Sequence, residues 1–317
     1  MEIRETTTHA DGTVTQALRT VIRVGTHDGV FHADDVFAVA VLQAAYRNVI
    51  VVRSRMPEVL ANCDVLVDVG GVYDPDTNKF DHHQKGRAGA RPNGVLYSAF
   101  GLVWRKFGAH LCGGDQEVAD MVDRRLVQHV DMLDNGQHMF DGPSNFPGTQ
   151  QMSLSAALSL LNPRFDEVPN DFDAGFQAAL VFADYLLDRL IQASLGEKRA
   201  RAEVREACLA AKDSAIVLLP RFVPWQQAVH EFASPNAMYI VFPSETGTWM
   251  VQTIPTAPGS FSARKPLPAA WAGLREQEFR DVVGLSDAVF CHPGRFICGA
   301  KSQASALQLA FVAAGQE

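Results

Sequence analysis

The stretch VIRVGTHDGVFHADDVFAVAVLQAAYRNVIVVR, residues 21–53, decides the fold. Its first part, VIRVG (21–25), is apolar and β-branched, the pattern of a buried strand. VFAVAVLQAAYR (36–47) reads as a helix, and VIVVR (49–53) as a second strand. A helix between two such strands is a crossover that joins parallel neighbours. DVLVDVGG (64–71) supplies a third strand, and helices are predicted over about 95–107 and 115–133. The chain is therefore expected to be α/β, with a mostly parallel sheet flanked by helices. In such sheets ligands sit beyond the carboxyl ends of the strands.

The polar residues of this half fall on that rim. The first strand runs into GTHDGVFHADD (25–35), which carries His27, Asp28, His32, Asp34 and Asp35. The third strand ends in Asp68, an acid in an apolar run where an unpaired carboxylate is costly. FDHHQ (80–84) then places Asp81, His82 and His83 in a row, and VDMLDNG (130–136) adds Asp131 and Asp134. Asp34 or Asp35 also suits the cap of the following helix, and Asp134-Asn135-Gly136 also suits a turn. Together the clusters point to a site for divalent cations. Mixed imidazole and carboxylate donors suit manganese first, and magnesium or another divalent ion as well. Two cations about 3.5–4 Å apart share a bridging carboxylate and a hydroxide that attacks phosphorus.

Composition bounds the partners. The 317 residues suffice for two cored domains. A net charge of −8 argues against a general nucleic-acid coat and leaves room for a local basic lining. The five cysteines are scattered with no CxxC pair, which fits reduced thiols in a cytoplasmic protein. The first twenty residues show no apolar targeting core, and no run approaches the roughly 20 apolar residues that span a bilayer, so no membrane partner is expected. FDAGFQAALVFADYLLDRLIQASLGEKRARAEVREACLAAK (172–212) has apolar residues at helical spacing, with Gly196 as the place for a kink or break. From Ala215 onward short strands alternate with proline-rich turns.

GTHDGVFHADD, DVLVDVGGVYDP, KFDHHQ and DMLDNG resemble motifs of the Myg family, a branch of the DHH phosphoesterase superfamily. LNPRF (161–165), AGF (174–176), SFSARKPLP (260–268) and WAGLR (271–275) also look like Myg segments. The resemblance implies a DHH-type α/β domain over 21–171, behind a tail over 1–20. A helical linker over 172–212 and a smaller mixed α/β substrate-binding domain over 213–317 complete it. It implies a 3′-to-5′ exonuclease acting on RNA or short oligonucleotides with two divalent metals. Hydrolysis of a smaller substrate is the alternative, and a metal-binding protein without catalysis a third reading. By position it implies metal binding by His27, His32, Asp34, Asp68 as the bridge, His82, and Asp131 with Asp134 as its alternative. His83 would contact the substrate phosphate, and Asp28, Asp35 and Asp81 would orient the histidines. Substrate contacts are expected from Lys85, Arg87, Arg91, Arg264 and His292. Cys298-Gly299-Ala300 stands where the superfamily often has Gly-Gly-His.

Overall fold

The computed structural model describes residues 2–8, 14–138, 149 and 152–315. The chain divides into two compact units, Met1–Leu195 and Gly196–Glu317. The segment expected as a tail holds β1 (Glu2–Thr8) and β2 (Val14–Thr20), paired antiparallel. Both are rich in β-branched residues, which favour extended backbone.

The first unit continues with β3 (Ile22–Thr26), α1 (Ala33–Tyr46), β4 (Val49–Arg53), α2 (Pro57–Leu60), β5 (Val65–Val67), β6 (Tyr73–Asp74) and β7 (Lys79–Phe80). Their sheet has the order β4-β3-β5-β7-β6, parallel throughout except for β6 against β7. β3 therefore has β4 on one side and β5 on the other. That is a topological switch point, where loops diverge and leave a crevice.

α1 is buried from Ala33 to Leu42 because it carries apolar residues on every side. It packs against α3 (Ala99–Leu111), where Phe37 stacks on Phe100 with ring centroids 5.1 Å apart. Each such fully buried ring stabilises the unit by about 1.5–3 kcal/mol. The helix expected over 115–133 is α4 (Gln116–Val122), a π-helical turn (Asp123–Val127) and α5 (Gln128–Asp134). A short α6 (Leu154–Ser159) follows.

α7 (Phe172–Ala211) is one uninterrupted helix of 40 residues, about 60 Å long at 1.5 Å per residue. Gly196 does not break it. The helix is no separate linker either, because apolar residues at helical spacing commit each half to a core. Phe176, Ala183 and Leu187 belong to the core of the first unit, and Ala200, Val204 and Cys208 to the second.

The second unit contains β8 (Ile216–Leu218), α8 (Gln226–Phe232), β9 (Tyr239–Pro243), β10 (Trp249–Thr253), α9 (Glu276–Val283), β11 (Ala288–Cys291), β12 (Ile297–Ala300) and α10 (Gln303–Ala314). Its sheet runs β11-β12-β10-β9-β8, antiparallel except for β8 beside β9. Alternate residues of β9 face opposite cores, with Tyr239 and Val241 on one side and Ile240 and Phe242 on the other. Cys298 and Ala300 of β12 are buried on the Tyr239 side, so this strand spends them on packing. Among the described residues no helix is long and apolar enough to cross a membrane, and all five cysteines are free thiols.

Candidate metal centre

Three neighbouring parallel strands deliver the acidic and imidazole residues. His27 follows β3, Asp68 follows β5, and Asp81, His82 and His83 follow β7. His32 and Asp34 come from the start of α1, and Asp134 from the end of α5. Three overlapping sets of ligand atoms each lie within 4.8 Å: His27, His32 and Asp68; Asp68, His82 and His83; His32, Asp34 and Asp134. Asp68 belongs to two of the sets. Its φ of +53° is left-handed, a conformation aspartate tolerates better than most residues. That turn follows directly on the strand, and Asp68 Oδ2 and Oδ1 lie 3.3 Å from the Nε2 atoms of His27 and His82 respectively.

The local chemistry favours a bound cation. His27 Nδ1 donates to the Asp28 carbonyl at 3.2 Å, which turns Nε2 inward. That nitrogen faces Asp35 Oδ2 at 3.2 Å and Asp68 Oδ2 at 3.3 Å. A lone pair there would confront two carboxylates, so the position calls for a proton or a metal. His82 Nε2 likewise lies 3.2 Å from Asp134, 3.3 Å from Asp68 and 3.8 Å from Asp34. Asp34 Oδ1, Asp68 Oδ1 and His82 Nε2 are buried without a hydrogen-bond partner. Orphaned buried donors and acceptors of this kind are rare, and an ion is one of the things that satisfies them. The residues fit divalent cations.

The titration behaviour follows from the same crowding. Burial pushes the Asp34 carboxyl well above its usual range, and the charges of Asp68 and Asp134 add to this. Burial also pushes Asp35 up to about 7, against the pull of His27. Burial opposes ionisation of Asp68 too, but the nearby imidazoles of His27, His82 and His83 outweigh it and hold Asp68 well below the carboxylate range. The Ala99 N–H, at the start of α3, donates to Asp34 at 3.3 Å, so a helix N-terminus also faces the cluster.

The supporting residues divide as follows. Asp35 Oδ1 accepts from the His32 and Val36 N–H groups at 2.9 and 2.8 Å while its other oxygen faces His27. Asp81 holds His83, accepting from its N–H at 3.0 Å and its Nδ1 at 2.9 Å, and accepts from Gly71 N–H at 2.6 Å. His83 is pushed up to about 9 by the Asp68 carboxylate 3.3 Å from its Nδ1, with Asp81 adding to it. Its side chain is 63% exposed, against 7% for His82. Asp28 does not orient His27 through its carboxylate, which lies by Arg55 at 3.5 Å; its main-chain carbonyl does so.

Asp131 is not in the cluster. Its carboxylate accepts from Ser98 at 2.5 Å, Gly101 N–H at 3.0 Å and Arg91 at 2.7 Å. Burial pushes it up to about 6 against the pull of Arg91. A Cβ on Gly101 would lie 2.0 Å from Asp131 Oδ2, so glycine is what admits the carboxylate. Asp134, one turn later, is the residue that reaches the other ligands.

Two of the basic residues expected on substrate are occupied elsewhere. Arg91 is buried between Asp131 and Asp123, with 2.6 Å to the latter, and stacks on Tyr97 at 4.3 Å. Arg264, in the second unit, donates to the Ser234 and Ala237 carbonyls at 3.1 and 3.0 Å. His292 is exposed in the same unit, lies tilted against Phe296 with ring centroids 4.4 Å apart and accepts from Gly294 N–H. Lys85 and Arg87 are exposed on the loop after His83, with Arg87 donating to Asn135 at 2.7 Å. Asn162 and Phe176, which carry no ligand-type signal in the sequence, touch Phe31 beside His32; both lie in the family-like strings LNPRF and AGF.

The sequence model of the family MYG1_exonuc, described as "Uncharacterised protein family (UPF0160)", matches residues 23–313. The chain is similar to a protein named MYG1 exonuclease from Rattus norvegicus, 33% identical over 91% of this chain and 83% of the relative. The Homo sapiens MYG1 exonuclease is also 33% identical, over 91% of this chain and 84% of its own length. A Chlamydia pneumoniae MYG1 protein is 35% identical over 86% of this chain and 90% of the relative. No solved structure matches the chain significantly. With residues 23–313 matched by the family model and relatives 33% identical over 91% of its length, the chain belongs to the MYG1 family.

Proposed function

We propose that the chain is a divalent-metal-dependent phosphodiesterase of DHH type, a 3′-to-5′ exonuclease that shortens RNA in the cytoplasm. The observation that carries the reading is the convergence of His27, His32, Asp34, Asp68, His82 and Asp134, with buried donor and acceptor atoms left without protein partners. The exonuclease names of the rat and human relatives support the reaction class. These six side chains would hold two cations, manganese by preference, with Asp68 shared between them. When bound, such ions activate water at neutral pH and neutralise charge on a phosphoryl group.

The protein's own groups supply placement. Asp35 and the Asp28 carbonyl fix the His27 ring and its tautomer. Asp81 holds His83 by Nδ1, which leaves Nε2 of an exposed ring to contact a phosphoryl oxygen. Lys85 and Arg87 would attract the substrate backbone. A second reading, hydrolysis of a short substrate such as a dinucleotide or pyrophosphate, gains weight from the commitments of Arg91 and Arg264, which reduce the cations free to track a long strand. Turnover of end-labelled RNA, DNA, a dinucleotide and pyrophosphate, under identical manganese conditions, tests the choice. The exonuclease reading expects stepwise shortening of RNA from its 3′ end with a higher kcat/KM than for pyrophosphate. The reverse order would favour the small-substrate enzyme.

A further inference from the structure

The loop between His27 and His32 carries metal-type residues at both ends, and Val30 within it is 53% exposed. Two distant side chains pin it. Asn162 pairs with both main-chain groups of Phe31: its Oδ1 accepts from Phe31 N–H at 3.1 Å and its Nδ2 donates to Phe31 C=O at 3.0 Å. Nδ2 also donates to the Ser159 carbonyl at 3.3 Å, which ties the amide to the end of α6. Arg53, at the end of β4, donates to the Gly29 carbonyl at 2.6 Å.

The rings lock these anchors together. Phe31 is fully buried and meets Phe176 of α7 edge-on, with centroids 5.6 Å apart. The Arg53 guanidinium lies over Phe176 at 4.6 Å and donates to Asp173 at 2.7 Å. Gly175 lets the helix approach: a Cβ there would lie 2.5 Å from the Leu161 carbonyl oxygen and 3.3 Å from the Phe31 ring.

We infer that Asn162 and Arg53 are positioning residues of the metal centre, which clamp the loop 27–32 through Phe31 and Gly29 so that His32 meets its fellow ligands. His32 depends on this most. Its side chain is exposed, whereas His27 and His82 are buried among their neighbours, so its main chain has to be held. The clamp gives LNPRF and AGF a role at the site although neither contributes a ligand. The inference rests on the metal reading above.

Manganese binding, read from the free-ion electron paramagnetic resonance signal, tests it without any turnover assay. Asn162→Leu, which keeps volume and removes both hydrogen bonds, is expected to weaken manganese binding by tenfold or more, the scale seen when groups that orient ligands are lost. Arg53→Met is expected to act in the same direction. Leu187→Ala, a core truncation elsewhere on α7, lowers thermal stability but should leave manganese affinity unchanged. Wild-type affinity in a folded Asn162→Leu or Arg53→Met protein would overturn the inference. Hydrogen exchange on the metal-free wild type provides a check that needs no variant: the Phe31 amide should be protected, and free exchange there would also overturn it. Failure of the wild type to bind manganese at all would instead remove the underlying metal reading.

Discussion

Asp131 and Asp134 show how far a single residue's role depends on three-dimensional neighbours. Both are acids on α5, and only Asp134 reaches His82. Asp134→Ala is expected to weaken manganese binding more than about tenfold and to leave the metal-free fold as stable, because a crowded like charge is removed. Asp131→Ala should do the opposite. It leaves Ser98, the Gly101 N–H and one side of Arg91 unpaired, a loss of about 3 kcal/mol, with manganese affinity retained. Urea unfolding of the metal-free proteins and manganese titration separate the two cases. The gathering of His27, His32, Asp34, Asp68 and His82 at one place was legible in the sequence because each sits where a strand stops or a helix starts. The choice between Asp131 and Asp134 was not. The π-helical turn at Asp123–Val127 adds a residue to one turn, which rotates everything after it by about 100° relative to a regular helix. No 3.6-residue pattern reveals that rotation.

At the level of elements, the β3–α1–β4 unit was legible because its apolar runs are long and its helix is buried on all sides. The short strands β6 and β7, two residues each, carry too little pattern to be read. α7 was legible as a helix but not as an unbroken one built into both cores, since Gly196 offered a place for a kink or break. A Cβ at Gly196 would meet only Arg199 Nη2, at 3.9 Å, within ordinary contact distance. Gly196→Ala should therefore stabilise the protein by about 1 kcal/mol through helix propensity. Its melting temperature should rise by about 2–4 °C. A decrease would mean that the helix bends there in solution.

For the molecule as a whole, sequence position was a poor guide to which cations pair within the protein. Arg91 and Arg264 lie in family-like or loop segments, yet their partners are 27 to 40 residues away in the chain and become neighbours only on folding. The candidate ligands all come from the first unit. Metal should therefore stabilise that unit selectively. Manganese at about 100 times its dissociation constant adds about 2.7 kcal/mol. Hydrogen exchange should slow in β3, β5 and α1 on adding manganese and recover with a chelator. β9 and β10 should be unaffected. Equal slowing in both units would show that the ions bind elsewhere as well.

A metal centre shared through Asp68 is proposed to perform phosphodiester hydrolysis. Its most direct measurement follows 5′-labelled RNA over time with wild-type protein in manganese, with the same protein after chelation, and with folded, manganese-supplied Asp68→Ala. The expected result is a ladder of products shortened from the 3′ end in the first sample, with at least about a hundredfold loss of rate in the other two, more than 2.7 kcal/mol in barrier. Shortening at the wild-type rate by Asp68→Ala, or by chelated wild type, would rule out hydrolysis by a metal centre at Asp68.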